Sequence, residues 1–137
     1  MSNVDWGHWI PVNNIDSIPD DALGFVYKIT EKDTNKFYIG CKQLYRTVKR
    51  PPLKGKKNKR HSVKDSDWRT YCSSSGMIGE AIQTDESKYI FELLSFHPSK
   101  STLKIAEAKI IIENIYDKRC YNKVVNLRVN VSSLMKN

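Results

Sequence analysis

The sequence of 137 residues lacks the run of roughly 18 to 20 apolar residues that a membrane-spanning helix needs. Its first residues, M-S-N-V-D-W-G-H-W, also lack the basic and then apolar pattern of a secretory signal peptide. These two absences predict a protein of the cytoplasm that has no membrane partner.

Cysteine is scarce, and its spacing excludes two kinds of site. Cys41, Cys72 and Cys120 are odd in number, lie far apart and form no C-x-x-C pair. A disulfide framework and a zinc knuckle both need closer or paired cysteines. We therefore expect reduced, packed thiols.

The length and the hydrophobic content of 39% suffice for one compact core but not for two. The predicted organisation is an N-terminal arm over residues 1–22, one domain over 23–130 and a short tail over 131–137. The arm contains Trp6 and Trp9, whose indoles we expect to pack on the domain. One domain of this size predicts a single functional site.

The positive charge is concentrated in one segment, residues 42–69. This segment holds eleven Lys and Arg residues against Asp65 and Asp67, a balance of +9, within a chain whose net charge is +8. A concentrated basic stretch is typical of a protein that binds a polyanion, although a solvated loop that aids solubility has the same composition.

The hydrophobic pattern predicts a small α/β (α+β) fold. Residues 24–30 and 36–41 are rich in β-branched and aromatic residues, and D-T-N-K between them favours a turn, so they predict a hairpin. Residues 88–96 predict a third strand, which would complete a three-stranded antiparallel sheet flanked by helices. The clearest helix covers 103–117, with Ser101 or Thr102 as its N-cap.

The region between the second and third strands has a weaker pattern. Residues 43–49 predict a short amphipathic helix or an irregular turn, which ends before Pro51 and Pro52. Residues 50–61 predict a flexible basic loop. Ser74 or Ser75 would cap a further helix over 77–82.

Glu107 shares the apolar stripe of the clearest helix. It lies four residues after Leu103, three before Ile110 and four before Ile111. A carboxylate that faces a core is costly unless it is paired, hydrogen-bonded or bound to a metal. Two interpretations follow: a functional carboxylate, or an acid at the edge of the stripe that meets a lysine.

Two strand tripeptides carry a family resemblance. F-V-Y (25–27) and Y-I-G (38–40), followed by D-W-R-T-Y-C-S-S-S (67–75), the helix with Glu107 and C-Y-N (120–122), make the chain similar to GIY-YIG nucleases. The run of motifs resembles the endonucleases carried by T4-like bacteriophages. Phe25 and Val26 replace the Gly-Ile of the name. The resemblance covers about residues 24–128.

The resemblance implies metal-dependent hydrolysis of DNA phosphodiester bonds, by nicking or by cutting both strands. Tyr27 and Tyr38 would be the paired tyrosines, Tyr71 would fill the later His/Tyr position, and Asn122 would be the amide at the edge of the site. Glu107 would bind the metal, Mg²⁺ or Mn²⁺, since Mg²⁺ often uses only one or two carboxylates. Double-stranded DNA would be the partner, in the host-cell cytoplasm if a phage encodes the protein, and a homodimer on DNA is one arrangement.

The catalytic cation is not fixed by the sequence. Many members of the family have an arginine four residues before the His/Tyr position, where this chain has Asp67, and a lysine after Y-I-G, where it has Cys41. The candidates for the cation, in order of preference, are Arg46, Lys42 and Arg69. The basic residues expected to contact the DNA backbone are Lys42, Lys49, Arg50, Lys54, Lys56, Lys57, Lys59, Arg60 and Arg69.

A second function from another class competes with the nuclease. Because Cys41 and Asp67 stand where the family has cations, the alternative is a catalytically impaired module that keeps the fold and only binds nucleic acid. A third, weaker option is an interaction protein that contacts its partner through the tryptophan-containing arm.

Overall fold

The computed structural model describes residues 4–50, 54–55, 60–71, 82 and 85–122. These residues form a small α/β domain with one helix longer than a single turn. The strands are β1 (Ile10–Pro11), β2 (Gly24–Glu31), β3 (Phe37–Gln43), β4 (Tyr45–Arg50), β5 (Arg60–Asp65) and β6 (Tyr89–His97). A short 3₁₀ helix (Glu86–Lys88) precedes β6, and helix α1 (Lys100–Glu113) follows it.

The main sheet has four strands in the order β1-β6-β2-β3. Strand β2 pairs antiparallel with both β3 and β6, and β1 adds to the far side of β6 in parallel. The three predicted strands are therefore confirmed, but the sheet that contains them has four strands rather than the predicted three. Residues 10–11 contribute the fourth strand, which is too short to produce a periodic pattern.

The β2–β3 hairpin has the predicted position and a well-defined register. Tyr27 pairs with Gly40, and Ile29 pairs with Tyr38. Asn35 in the connecting turn has a φ of 60°, a left-handed conformation that asparagine tolerates better than most residues. This register places the two tyrosines on adjacent strands, separated by one pair of residues.

Both faces of the main sheet are covered, which explains why the consecutive residues Phe25, Val26 and Tyr27 of β2 are all buried. Phe25, Tyr27 and Ile29 belong to one buried cluster, with Trp9, Trp68 and Leu93. Val26 belongs to a second cluster, with Ile39 and Leu103, on the side of α1. A strand that is buried on both faces loses the alternation of apolar and polar residues.

Residues 43–49 do not form the predicted helix or irregular turn. Strand β4 instead pairs antiparallel with β5 in a separate two-stranded sheet, in a register that sets Arg46 opposite Lys64 and Arg50 opposite Arg60. The segment expected to be a flexible loop thus contains, at Arg60 and His61, the start of a strand. The predicted helix over 77–82 lies outside the described residues, apart from Ile82, which is helical and fully buried.

Helix α1 begins earlier than predicted, because its N-cap is Ser99 rather than Ser101 or Thr102. The Ser99 hydroxyl accepts a hydrogen bond from the backbone N–H of Thr102, and the Ser99 backbone N–H donates to the Thr102 hydroxyl. In this reciprocal capping box, the backbone N–H groups of Ser99 and Thr102 both find a hydrogen-bond acceptor, which fixes the first turn of the helix. The helix buries Leu103, Ala108 and Ile111.

The residues before β2 pack on the domain at Trp9, which is only 3% exposed. Its indole contacts the rings of Phe25, Tyr27 and Phe91, and its indole N–H donates to the carbonyl oxygen of Trp68. Trp6 is half-buried and contacts Phe96. Among the described residues, no helix is long and apolar enough to cross a membrane.

Candidate active site

Tyr27 lies across the backbone of Gly40 on the neighbouring strand. The tyrosine is 1% exposed, and a Cβ atom added at Gly40 would come closer than 3.0 Å to the hydroxyl and the ring of Tyr27. Only glycine leaves room for this close approach. Gly40 therefore allows the Tyr27 hydroxyl to extend over β3, which is the end strand of the sheet order among the described residues.

Three tyrosines gather around this crossing. The ring centroid of Tyr27 lies 6.3 Å from that of Tyr38 and 6.1 Å from that of Tyr71. Tyr38 and Tyr71 are half-buried and pack against the same apolar cluster as Tyr27. The structure thus brings together the three tyrosines that the sequence singled out from distant segments.

Lys42 joins the tyrosine group from the end of β3. Its Nζ lies 4.1 Å from the centroid of the Tyr71 ring and 2.9 Å from Oδ1 of Asp67. A hydrogen bond from Lys42 is the main reason why the pKa of Asp67 is below its usual value, and Arg46 lowers it further. Asp67 is therefore charged at neutral pH, and its side chain is largely exposed.

Glu107 lies on α1 beside β3, and it is the acid that the stripe pattern indicated. Its side chain is 22% exposed, and its Oε2 lies 3.8 Å from Nζ of Lys104, one helical turn earlier. Burial raises the pKa of Cys41 to about 12, helped by a hydrogen bond to Glu107 and the charge of Glu107, while Lys104 opposes the shift. Cys41 at neutral pH is thus an uncharged thiol that contacts the carboxylate.

A cleft with a volume of about 560 Å³ lies around the end of β3, and Cys41, Lys42 and Asp67 are among the residues that line it. Its walls come from three places: the end of β3, the start of β4 with Ser66 and Asp67, and the first turns of α1. The charged side chains in the walls are Lys42, Arg46, Asp67, Lys100 and Lys104. Because these side chains comprise four cations and one acid, the cleft is suited to bind a phosphate backbone.

The three candidates for the catalytic cation separate in the structure. Lys42 and Arg46 line the cleft, and Arg46 is exposed there. Arg69 points elsewhere: its guanidinium stacks on Trp68 at 4.3 Å and donates to the backbone oxygen of Asp5 at 2.9 Å. Lys42 and Arg46 thus lie in the cleft, whereas Arg69 binds the segment before β1 through Asp5.

Asn122 is buried, and its amide binds the main chain of β3. Its Oδ1 accepts from the Ile39 N–H, and its Nδ2 donates to the Ile39 carbonyl, each at 2.8 Å. Ile39 lies between Tyr38 and Gly40. The amide therefore fixes the strand that carries the Y-I-G tripeptide.

Comparison with models of protein families shows which family this chain belongs to. The family model described as "Putative endonuclease segE, GIY-YIG domain" matches residues 9–124. The chain belongs to this GIY-YIG family. No curated protein and no solved structure matches the chain significantly.

The matched region of the GIY-YIG domain begins at Trp9 and ends just after Asn122. It thus contains the three tyrosines, the cleft and Glu107. It also includes the Trp9 side chain and β1, which complete the apolar cluster and the sheet. Both the matched region and the structure indicate that the domain begins N-terminal to the β2–β3 hairpin.

The basic residues outside the cleft are only partly described. Lys49 and Arg50 lie in β4, Arg60 lies in β5, and Lys54 is exposed in the connection between these strands. Lys56, Lys57 and Lys59 lie outside the described residues. The contact of these residues with DNA stays a prediction.

The donor set of the GIY-YIG site is suited to a hard divalent ion that keeps most of its own ligands. Glu107 offers one partly exposed carboxylate, and among the described residues no three His, Cys, Asp or Glu side chains cluster as a metal cage. Mg²⁺ commonly binds through one or two carboxylates, with water and substrate phosphate as the other ligands. Glu107 is the residue that would hold it.

Lys100 and Lys104 are site residues that the sequence interpretation missed. They occupy the same face of α1, four residues apart, and both line the cleft. The signal in the sequence was the spacing of Lys104 three residues before Glu107, which predicts contact on a helix. It indicated a lysine partner for the acid but not that this lysine lines the cleft.

Proposed function

We propose that this GIY-YIG protein is a DNA endonuclease that hydrolyses phosphodiester bonds with the help of Mg²⁺ or Mn²⁺. The observation that carries the proposal is the cation-lined cleft at the end of β3, in which Lys42 contacts Tyr71 of the tyrosine group and Lys104 contacts Glu107. The charges suit a DNA strand, and the family supplies the reaction class.

The chemistry assigns a role to each side chain. Tyr38 is half-buried and would orient the attacking water. Its phenol oxygen would take up the proton of the water while the phenol passes its own proton on to a hydrogen-bonded acceptor. Tyr27, which packs over Gly40, would hold the side chain of Tyr38 in place. Tyr71 would position Lys42, whose Nζ lies 4.1 Å from the centroid of its ring. A divalent ion held by Glu107 would stabilise charge on the phosphate and on the leaving oxygen.

Double-stranded DNA is the proposed substrate, and the proposed location is the cytoplasm. The cations of the cleft and of residues 42–69 would contact phosphates rather than bases, since phosphate contacts position a protein without reading sequence. One domain with one site would nick a duplex. Cutting both strands would need a second copy or a second binding event.

A binding module without catalysis remains the second candidate, and the Lys42–Asp67 pair favours it. Asp67 stands where the related nucleases have an arginine, and it occupies Lys42 at 2.9 Å. The negative charge of Asp67 in the wall of the cleft would repel the negative charge that develops on the phosphate in the transition state. The two candidates differ in one result, which is metal-dependent cutting.

Conversion of supercoiled plasmid to nicked or linear DNA tests the proposal. We expect the wild type to cut with Mg²⁺ or Mn²⁺ and not with EDTA, and we expect Glu107→Gln to lose this activity. Glu113→Gln is the matched control, because Glu113 is exposed at the end of the same helix. A folded wild type that binds DNA but never cuts it with either metal would establish the binding module instead.

A further inference from the structure

Lys104 occupies a place in the cleft that no other cation shares. Its Nζ lies 3.8 Å from the Glu107 carboxylate, its side chain is 52% exposed, and it lines the cleft together with Lys42 and Arg46. Among the described residues, it is the lysine or arginine that forms an ion pair with Glu107. A phosphate beside Glu107 would therefore also be beside Lys104.

The position of Lys104 is fixed by α1. Leu103, the residue before it, is 2% exposed and lines the same cleft. Glu107 follows Lys104 by three residues, so the two side chains lie on the same face of the helix. The side chain assigned to the metal is therefore a direct neighbour of Lys104.

Two other cations of the cleft have contacts with Asp67 instead of Glu107. Lys42 is bound to Asp67 and stacked on Tyr71. Arg46 lies on β4, close enough to Asp67 to lower its pKa. Lys104 has a looser partner, because 3.8 Å exceeds the usual length of about 2.7–2.9 Å for a charge-assisted hydrogen bond.

We propose that Lys104 is the cation that binds the scissile phosphate next to Glu107, in place of the arginine and lysine that are replaced by Asp67 and Cys41. This inference rests on the proposed endonuclease function. The ammonium group has three N–H donors, and an exposed helix pair stabilises the fold little, so a phosphate oxygen can take one donor readily. Lys100, one turn earlier, would bind the neighbouring phosphate.

Lys104 acts in this assignment by charge alone. It keeps its proton throughout and stabilises the negative charge that develops on a non-bridging phosphate oxygen. A longer side chain with the same charge should therefore retain part of the effect. A neutral side chain should lose it.

The test compares Lys104→Ala, Lys104→Arg and the control Lys109→Ala, which removes an exposed lysine from the same helix. Cleavage is measured with Mg²⁺ under single-turnover conditions. We expect Lys104→Ala to lower the rate at saturating DNA about 100-fold, Lys104→Arg to recover a measurable part of it, and Lys109→Ala to match the wild type. A wild-type rate in Lys104→Ala would overturn the assignment.

A second readout needs neither metal nor cutting. Fluorescence anisotropy with a labelled DNA duplex in EDTA, at several salt concentrations, gives the slope of log K against log salt. Loss of one phosphate contact should reduce this slope by about 0.9 for Lys104→Ala and by clearly less for Lys109→Ala. Equal slopes for the two variants would overturn the phosphate contact.

The two readouts separate the two proposals. A wild type that cuts while Lys104→Ala cuts equally well defeats the Lys104 assignment only. A wild type that never cuts defeats the endonuclease, and the anisotropy slopes then decide the phosphate contact by themselves.

Discussion

Gly40 is the residue that makes the tyrosine group sterically possible. The Tyr27 phenol crosses its Cα, where any side chain would collide with the hydroxyl and the ring. The Y-I-G tripeptide thus combines a tyrosine that faces the site with a glycine that admits the other tyrosine. The sequence predicted that Gly40 leaves room for a close approach, and the register of β2 and β3 shows that the approaching group is the Tyr27 phenol.

We expect Gly40→Ala to destabilise the fold by about 1–3 kcal/mol, the usual cost of overpacking, and to displace Tyr27. Urea denaturation measures the free energy of unfolding. The control is the same substitution in a Tyr27→Leu background, where the clash is relieved and the added cost should be smaller. An equal cost in both backgrounds would show that the crossing is not what requires glycine.

Tyr27, Tyr38 and Tyr71 could be named from the sequence because the resemblance to GIY-YIG nucleases rests on short local motifs, and Glu107 could be named also from its place in the apolar stripe of its helix. Asp67 and Lys104 could not, because their roles depend on partners brought near by folding. Asp67 meets Lys42 across 25 positions of the chain, and Lys104 shares a cleft with Cys41 and Lys42 only because α1 packs beside β3. Spacing predicts neighbours within an element but not between elements.

At the scale of the element, the start of α1 shows how a capping residue is chosen. Ser99, Ser101 and Thr102 are all good N-cap residues, so the sequence alone does not select one. The structure selects Ser99, with Thr102 as the reciprocal partner three residues later. Helix α1 carries Lys100, Lys104 and Glu107, so its first turn also places the site.

We expect Ser99→Ala to lower the free energy of unfolding by about 1 kcal/mol, because it removes the hydroxyl that accepts from Thr102 N–H. Ser101→Ala is the matched control and should change it by less than about 0.5 kcal/mol. Both values come from urea denaturation followed by circular dichroism. A larger effect of Ser101→Ala than of Ser99→Ala would contradict the capping box.

Strands β2, β3 and β6 were predictable, whereas β4 and β5 were not. The former are rich in aromatic and β-branched residues, and their burial against other elements selects such residues. Strand β4 has Arg46, Lys49 and Arg50 among its six residues, so no apolar alternation marks it. Its partner β5 begins ten residues after β4 ends, too far for a short hairpin signal.

At the scale of the whole molecule, the segment before β2 completes the domain rather than only covering it. Trp9 fills one apolar cluster beside Tyr27, and β1 extends the sheet. The backbone N–H of His8 donates to the carbonyl oxygen of Arg69, which ties this segment to the end of the basic stretch. The support of the tyrosine group is therefore spread over distant parts of the chain.

We expect Trp9→Ala to lower the free energy of unfolding by about 3–5 kcal/mol, the usual cost of removing a buried large aromatic side chain. That is a large part of the total stability of a small domain. Trp6→Ala is the control, because Trp6 is only half-buried. A cost for Trp9→Ala no greater than that for Trp6→Ala, in urea denaturation, would contradict the packing described here.

The central claim is that Tyr38 and Glu107 work in one catalytic centre around the cleft. The most direct measurement is a double-mutant cycle of single-turnover plasmid cleavage with Mg²⁺, using wild type, Tyr38→Phe, Glu107→Gln and the double variant. The account predicts that each single change lowers the rate by at least about 100-fold and that the double variant is hardly slower than the worse single one, because groups that act as a unit are not additive. Wild-type rates in either single variant, or losses that multiply fully in the double variant, would contradict a shared centre.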